Sequence, residues 1–164
     1  MARFLRFSLV MAFAVWQGGF VFYGGVVIPI GTRVLGSDVE QGFITQAVSE
    51  RLNWIGIICL LIWAASLAVD RKTHFSRAEP IARDRRVHSL SWLIWIGLAI
   101  GMLGLFVLHY FMDLQLDSQT QTVRDFKQFK QLHRFYLGIS TLQWIGAMAL
   151  LWYSLSQTGS RENV

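Results

Sequence analysis

Two histidines, a carboxylate and a phenol carry the densest chemistry in this chain. His109 and Asp113 are four residues apart and His133 and Tyr136 three apart, so each pair shares a face if its stretch is helical. Two imidazoles with a carboxylate suit zinc, copper or non-haem iron, and histidines from two facing helices can ligate haem. His109, Asp113 and His133 are thus the candidate metal or haem residues. Neither H-x-x-x-H nor another metal spacing is present, and interfacial hydrogen bonding is the plainer reading. No nucleophile elbow, P-loop, Rossmann glycine pattern or H-E-x-x-H occurs, so nothing points positively to an enzyme. Cys59 is the only cysteine, which leaves no disulfide framework and no thiolate metal site; it reads as a small packing residue.

The elements that must position these groups follow from where charge is missing. Windows 7–32, 52–69, 87–112 and 135–160 contain no Asp, Glu, Lys or Arg. A hydrocarbon core roughly 30 Å thick takes about 20 apolar residues to cross as a helix. A charge at its centre costs at least about 2.5 kcal/mol. Inside lipid each segment must satisfy its own peptide groups, so each window is expected to be a helix. The expected fold is an all-α, four-helix transmembrane bundle forming one integral membrane domain over 1–164, with spans at about 7–30, 52–69, 89–112 and 135–156. Hydrophobic residues make up 54% of the chain and charged residues only 15%, a composition too apolar for a soluble domain. The first window is longer than a signal-peptide core of about 7–15 residues and no A-x-A-like site follows it, so it is expected to remain in the mature protein.

Orientation follows from Lys and Arg in the short connections. Arg3, Arg6, Arg71, Lys72, Arg77, Arg83, Arg85, Arg86 and Arg161 fall on one side; Arg33, Arg51, Arg124, Lys127, Lys130 and Arg134 fall on the other. Nine against six places both termini and the basic 70–88 loop in the cytoplasm. The net charge of +5 clusters beside the spans and is not interleaved with stacking aromatics, which favours anionic lipid over nucleic acid as a partner. His74 and His88, in or beside the basic loop, read as solvated.

Both outer connections look amphipathic. Ser37 and Glu40 match a capping box ahead of Val39, Phe43, Val48 and Leu52. Asp117 and Ser118 could cap a segment in which Val123, Phe126, Phe129, Leu132 and Phe135 recur every three residues. Short outer helices are therefore expected over about 38–51 and 118–134. Trp54, Trp92, Trp95, Trp152 and Tyr153 mark span ends, while Trp16, Trp63 and Trp144 lie deeper. Gly97 and Gly101 form G-x-x-x-G with Gly104 one turn on, and Gly18, Gly19, Gly24 and Gly25 come as two doublets ahead of Pro29; all seven are expected at helix contacts. The doublets also allow a broken helix beside a small site. Gln17, Ser66, Ser140, Thr141 and Gln143 are the main intramembrane polar groups, and the lack of a buried charge argues against a proton-driven transporter.

The stretch Gly18-Gly19-Phe20-Val21-Phe22-Tyr23 through Val26-Val27-Ile28-Pro29, with His133-Arg134-Phe135-Tyr136, Ser140 and Gln143 later, resembles small four-span bacterial integral membrane proteins of unknown function. Those proteins are similar in turn to the membrane domains grouped with copper-resistance D proteins. The resemblance covers most of the chain and implies the bundle architecture. It singles out His133 and Pro29 and implies a copper link, although no Met-rich or Cys-rich outer segment accompanies it here.

The leading expectation is an accessory, assembly or scaffold subunit in the bacterial inner membrane, packing against lipids and other transmembrane helices. The alternatives are a metal- or haem-binding protein using His109 and His133, and a small-solute transporter or channel built on the glycine-rich first span.

Overall fold

The computed structural model describes residues 2–75, 82–117 and 122–159. Helix α1 (Ala2–Phe22) runs through a five-residue π-turn (Tyr23–Val27) into α2 (Ile28–Leu35). Helices α3 (Asp38–Phe75), α4 (Ala82–Asp113) and α5 (Phe126–Gly159) follow, with a two-stranded hairpin of β1 (Leu116–Asp117) and β2 (Thr122–Val123) between the last two. Four helical stretches are long and apolar enough to cross a membrane: Phe7–Leu35, Asp38–Val69, His88–Asp113 and Phe126–Ser154.

The helices pack in chain order, α1 on α3, α3 on α4 and α4 on α5, while α1 and α5 touch only lightly. Between the layers lies a core of Trp16, Cys59, Trp63, Met102, Leu105, Ala147 and Leu150. Indole N–H groups link the helices: Trp95 Nε1 donates to the Leu60 carbonyl at 2.9 Å and Trp63 Nε1 to Ser154 Oγ at 3.3 Å. Large apolar side chains such as Phe7, Leu93, Ile100, Leu103 and Leu142 point outward, where a membrane protein meets lipid.

The first span is interrupted where its sequence demands it. Pro29 has no N–H, and its ring would strike the carbonyl four residues back, at Gly25, in a straight α-helix. The backbone widens instead: the Ile28 N–H donates to the Tyr23 carbonyl, five residues back, across a turn that contains Gly24 and Gly25. Helix α2 then stops at Gly36, whose φ of 66° is the left-handed conformation that favours glycine and whose N–H reaches the Thr32 carbonyl. Ser37 starts α3 at once, its Oγ accepting the Glu40 N–H at 3.3 Å.

The two outer segments differ from the sequence expectation. Residues 38–51 are the first turns of the continuous α3, not a separate helix. The 118–134 segment is not one helix: Thr122 and Val123 pair in antiparallel register with Asp117 and Leu116, and α5 begins at Phe126. Asp125, not Asp117, caps α5, its Oδ1 accepting the Gln128 N–H at 3.0 Å. β-Branched Thr122 and Val123 suit a strand better than a helix start. Ser118, the middle of the basic loop at 76–81 and Arg161 lie outside the described residues. His88 is partnered, accepting the Trp92 indole N–H at 3.0 Å.

Candidate functional site

Every fourth residue at the start of α3 is polar and uncharged: Gln41, Thr45, Ser49 and Asn53. The four-residue spacing sets them on one face, and Gln41 and Asn53 are buried within the bundle. The Tyr23 hydroxyl donates to Thr45 Oγ1 at 3.2 Å and accepts from Gln41 Nε2 at 3.3 Å, tying the π-turn to α3. Asn53, fully buried, exchanges two hydrogen bonds with the Tyr136 hydroxyl on α5, at 3.0 and 3.2 Å. Gln46 Nε2 donates to Asp113 on α4.

These contacts surround a cavity of about 530 Å³ at the hairpin end of the bundle. Tyr23, Gln41, Thr45, Ser49, His109 and His133 supply its polar wall, and Phe20, Met112 and Phe129 are among the apolar residues. A Cβ on Gly24 or Gly42, both in the wall, would meet nothing within 4 Å. Among the described residues Asp38 is the only Asp, Glu, Lys or Arg lining it.

The residues singled out by sequence are partly brought together. His109 is buried, with Nε2 3.6 Å from Asp113 Oδ2 and its ring 6.4 Å from that of Tyr136. His133 faces the same cavity and stacks on Phe129 at 6.2 Å with the ring planes 9° apart. Among the described residues no three His, Cys, Asp or Glu side chains group as a metal site would need. His109, Asp113 and His133 share the region without closing into a ligand set. His109 and His133 line the cavity, and Asp113 stands beside His109 without lining it.

The glycines divide in the same way. A Cβ on Gly19 would lie 2.8 Å from Leu52 and one on Gly101 2.7 Å from Gln143 Nε2, so both stand at close approaches; Gly104 is looser, at 3.6 Å from Ile139. A Cβ on Gly18, Gly24, Gly25 or Gly97 would meet nothing within 4 Å; Gly24 lines the cavity and Gly97 a groove between α4 and α5. Sequence reasoning missed Gly31, pressed against Gln41, Gly56 between Met102 and Trp16, and Gly146 against Leu98. It also missed the α3 polar stripe. The signal was present as the four-residue polar spacing, read past because Val39, Phe43, Val48 and Leu52 suggested an apolar inner face.

No curated protein and no solved structure matches this chain, and no link to copper-resistance D membrane domains is found. A family model does match over residues 11–118, from α1 through β1, a stretch that holds the π-turn, the α3 stripe, His109 and Asp113. By that match the chain belongs to the family described as Domain of unknown function (DUF4149).

Proposed function

We propose that the protein is a membrane-embedded binding protein that holds a small hydrogen-bonding molecule without negative charge in the hairpin-end cavity. One observation carries the reading: about 530 Å³ of space is walled by Tyr23, Gln41, Thr45, Ser49, His109 and His133. Cavities of about 300–1,000 Å³ with a few convergent polar groups are the usual form of a small-molecule site. The π-turn beside it adds support, because such turns inside α-helices often mark functional sites. The charge of the wall selects the ligand. Asp38 lines it, the Asp113 carboxylate stands behind His109, and among the described residues no Lys or Arg lines it to favour an anion.

The nine-to-six bias in Lys and Arg supports a bacterial inner-membrane protein with this end of the bundle outside and both termini in the cytoplasm. The cavity then opens to the outer solution. The test is native mass spectrometry of the protein extracted from its own membrane in mild detergent. The expected result is a stoichiometric non-protein mass on the wild type that is lost in Gly42→Leu, which adds bulk to the cavity wall at a position where a Cβ would meet nothing within 4 Å. A bare chain in both preparations would sink the reading.

A second reading, that of an accessory or assembly subunit, is favoured by a different surface. Between α4 and α5 runs an apolar groove of about 490 Å³ lined by Gly97, Ile100, Gly101, Gly104, Leu142 and Gly146. Ile100 and Leu142 are exposed on its rim. Small residues let another helix approach closely in lipid. A Cβ on Gly97 would meet nothing within 4 Å, so loss of a co-purifying membrane partner in Gly97→Leu, with the fold intact, would support the subunit reading.

A further inference from the structure

We propose that the ligand of the hairpin-end cavity is an organic ammonium ion, its N–H group bonded to the His133 imidazole and its charge balanced by Asp38. The inference rests on the binding reading above and names the class of molecule that this cavity takes. Much of the polar wall is already spent on itself. Tyr23 donates to Thr45 Oγ1 and accepts from Gln41 Nε2, and Thr45 Oγ1 donates to the Gln41 carbonyl at 2.8 Å. Tyr136 pairs with Asn53, and Gln46 Nε2 donates to Asp113. His133 is the contrast: it lines the cavity, keeps part of its surface accessible and stacks on Phe129 with the ring planes 9° apart. Among the described residues it makes no hydrogen bond and no ion pair. A neutral imidazole has one acceptor nitrogen, so His133 can take an N–H from a ligand without breaking a bond inside the protein.

The electrostatics of the wall favour a cation. Asp38 lines the cavity and is exposed, and among the described residues no Lys or Arg lines it. The N-terminus of α3 carries about half a positive charge, but Asp38 and Glu40 both stand in its first turn and outweigh it. A neutral donor such as an alcohol gains the His133 bond and nothing from Asp38. A carboxylate or phosphate is repelled by Asp38 and meets no cation in the wall. Phe20, Tyr23, Phe129 and Tyr136 also line the space, and aromatic surroundings suit an ammonium group. Leu52, Met112 and Leu137 give the hydrocarbon part of such a ligand an apolar surface to rest against.

The test is isothermal titration calorimetry of the full chain in lipid nanodiscs at about pH 8, where an alkylammonium keeps its charge, with empty nanodiscs subtracted. The probes are 2-phenylethylamine and 2-phenylethanol, which share one body and differ in charge, with 3-phenylpropionate as the anion. The amine is expected to bind saturably, the alcohol about tenfold more weakly and the anion not at all, and Gly42→Leu should abolish the amine's binding. Asp38→Asn should weaken the amine several-fold and leave the alcohol unchanged. His133→Phe, which keeps an aromatic ring beside Phe129 and removes the acceptor, should weaken both; Asp38→Asn, at an exposed helix end, keeps the test open if His133→Phe fails to fold. Equal binding of amine and alcohol, both lost in Gly42→Leu, would overturn the ammonium ion and leave the cavity as a site for a neutral ligand. Amine binding indifferent to Asp38→Asn would overturn it too. Absence of binding by all three probes would also overturn it, and native mass spectrometry of the extracted protein then decides the cavity reading by itself.

Discussion

Asn53 and Tyr136 show what a single polar pair does in this bundle. Each is buried, each is the other's partner, and together they clamp α3 to α5 across a distance of 83 residues in sequence. Interhelical hydrogen bonds inside membranes contribute about 0.6 kcal/mol on average and up to about 1.7. Tyr136→Phe should therefore lower stability by about 1 kcal/mol, as should Asn53→Leu. The double variant should cost less than their sum, because the pair is lost only once. Unfolding in mixed micelles measures this cycle, and strict additivity would mean that the two residues do not act as a pair. Tyr136 was legible as part of the His133 pair, but Asn53 was not: within an 18-residue window without charge, one asparagine looks like an isolated polar residue until its place on the Gln41-Thr45-Ser49 stripe is counted.

At the scale of the elements, glycine has two opposite uses that spacing alone does not separate. Gly56 admits Trp16 and Met102, so Gly56→Ala forces buried side chains apart and should destabilise by about 1–3 kcal/mol. Gly42 borders empty space in a helix, so Gly42→Ala should stabilise by about 0.4–1 kcal/mol. Thermal unfolding of the two variants side by side checks both signs. The π-turn gives a sharper contrast. Deleting Gly25 removes its extra residue, which should turn α2 by about 100° relative to α1 and carry Gly31 away from Gln41. A deletion variant that still folds should lose any ligand of the hairpin-end cavity, whose wall includes Ile28 and Thr32 of α2. The four spans were legible because charge is excluded from lipid at a high free-energy cost. Helix interruption was legible from Gly24, Gly25 and Pro29, but its geometry was not, since a crossing and a widened turn use the same residues. The hairpin at Leu116–Asp117 and Thr122–Val123 was hidden by the three-residue recurrence of Phe126, Phe129, Leu132 and Phe135, which belongs to α5 alone.

For the whole molecule, the pattern is a bundle that turns apolar side chains to lipid and gathers uncharged polar ones inside at two depths, one near the hairpin and one near mid-membrane. On the reading proposed above, the hairpin-end cavity is wet, open to the outer solution and unfriendly to anions. The direct measurement is thiol labelling in intact cells. Cys59 is fully buried and is replaced by serine, and Ser49→Cys then puts one thiol in the cavity wall. A cationic, membrane-impermeant methanethiosulfonate should modify it from outside, several-fold faster than the anionic reagent of similar size, and Gly42→Leu should suppress the reaction. A thiol at 49 that stays unmodified, or reacts only after the cells are broken open, would contradict the account.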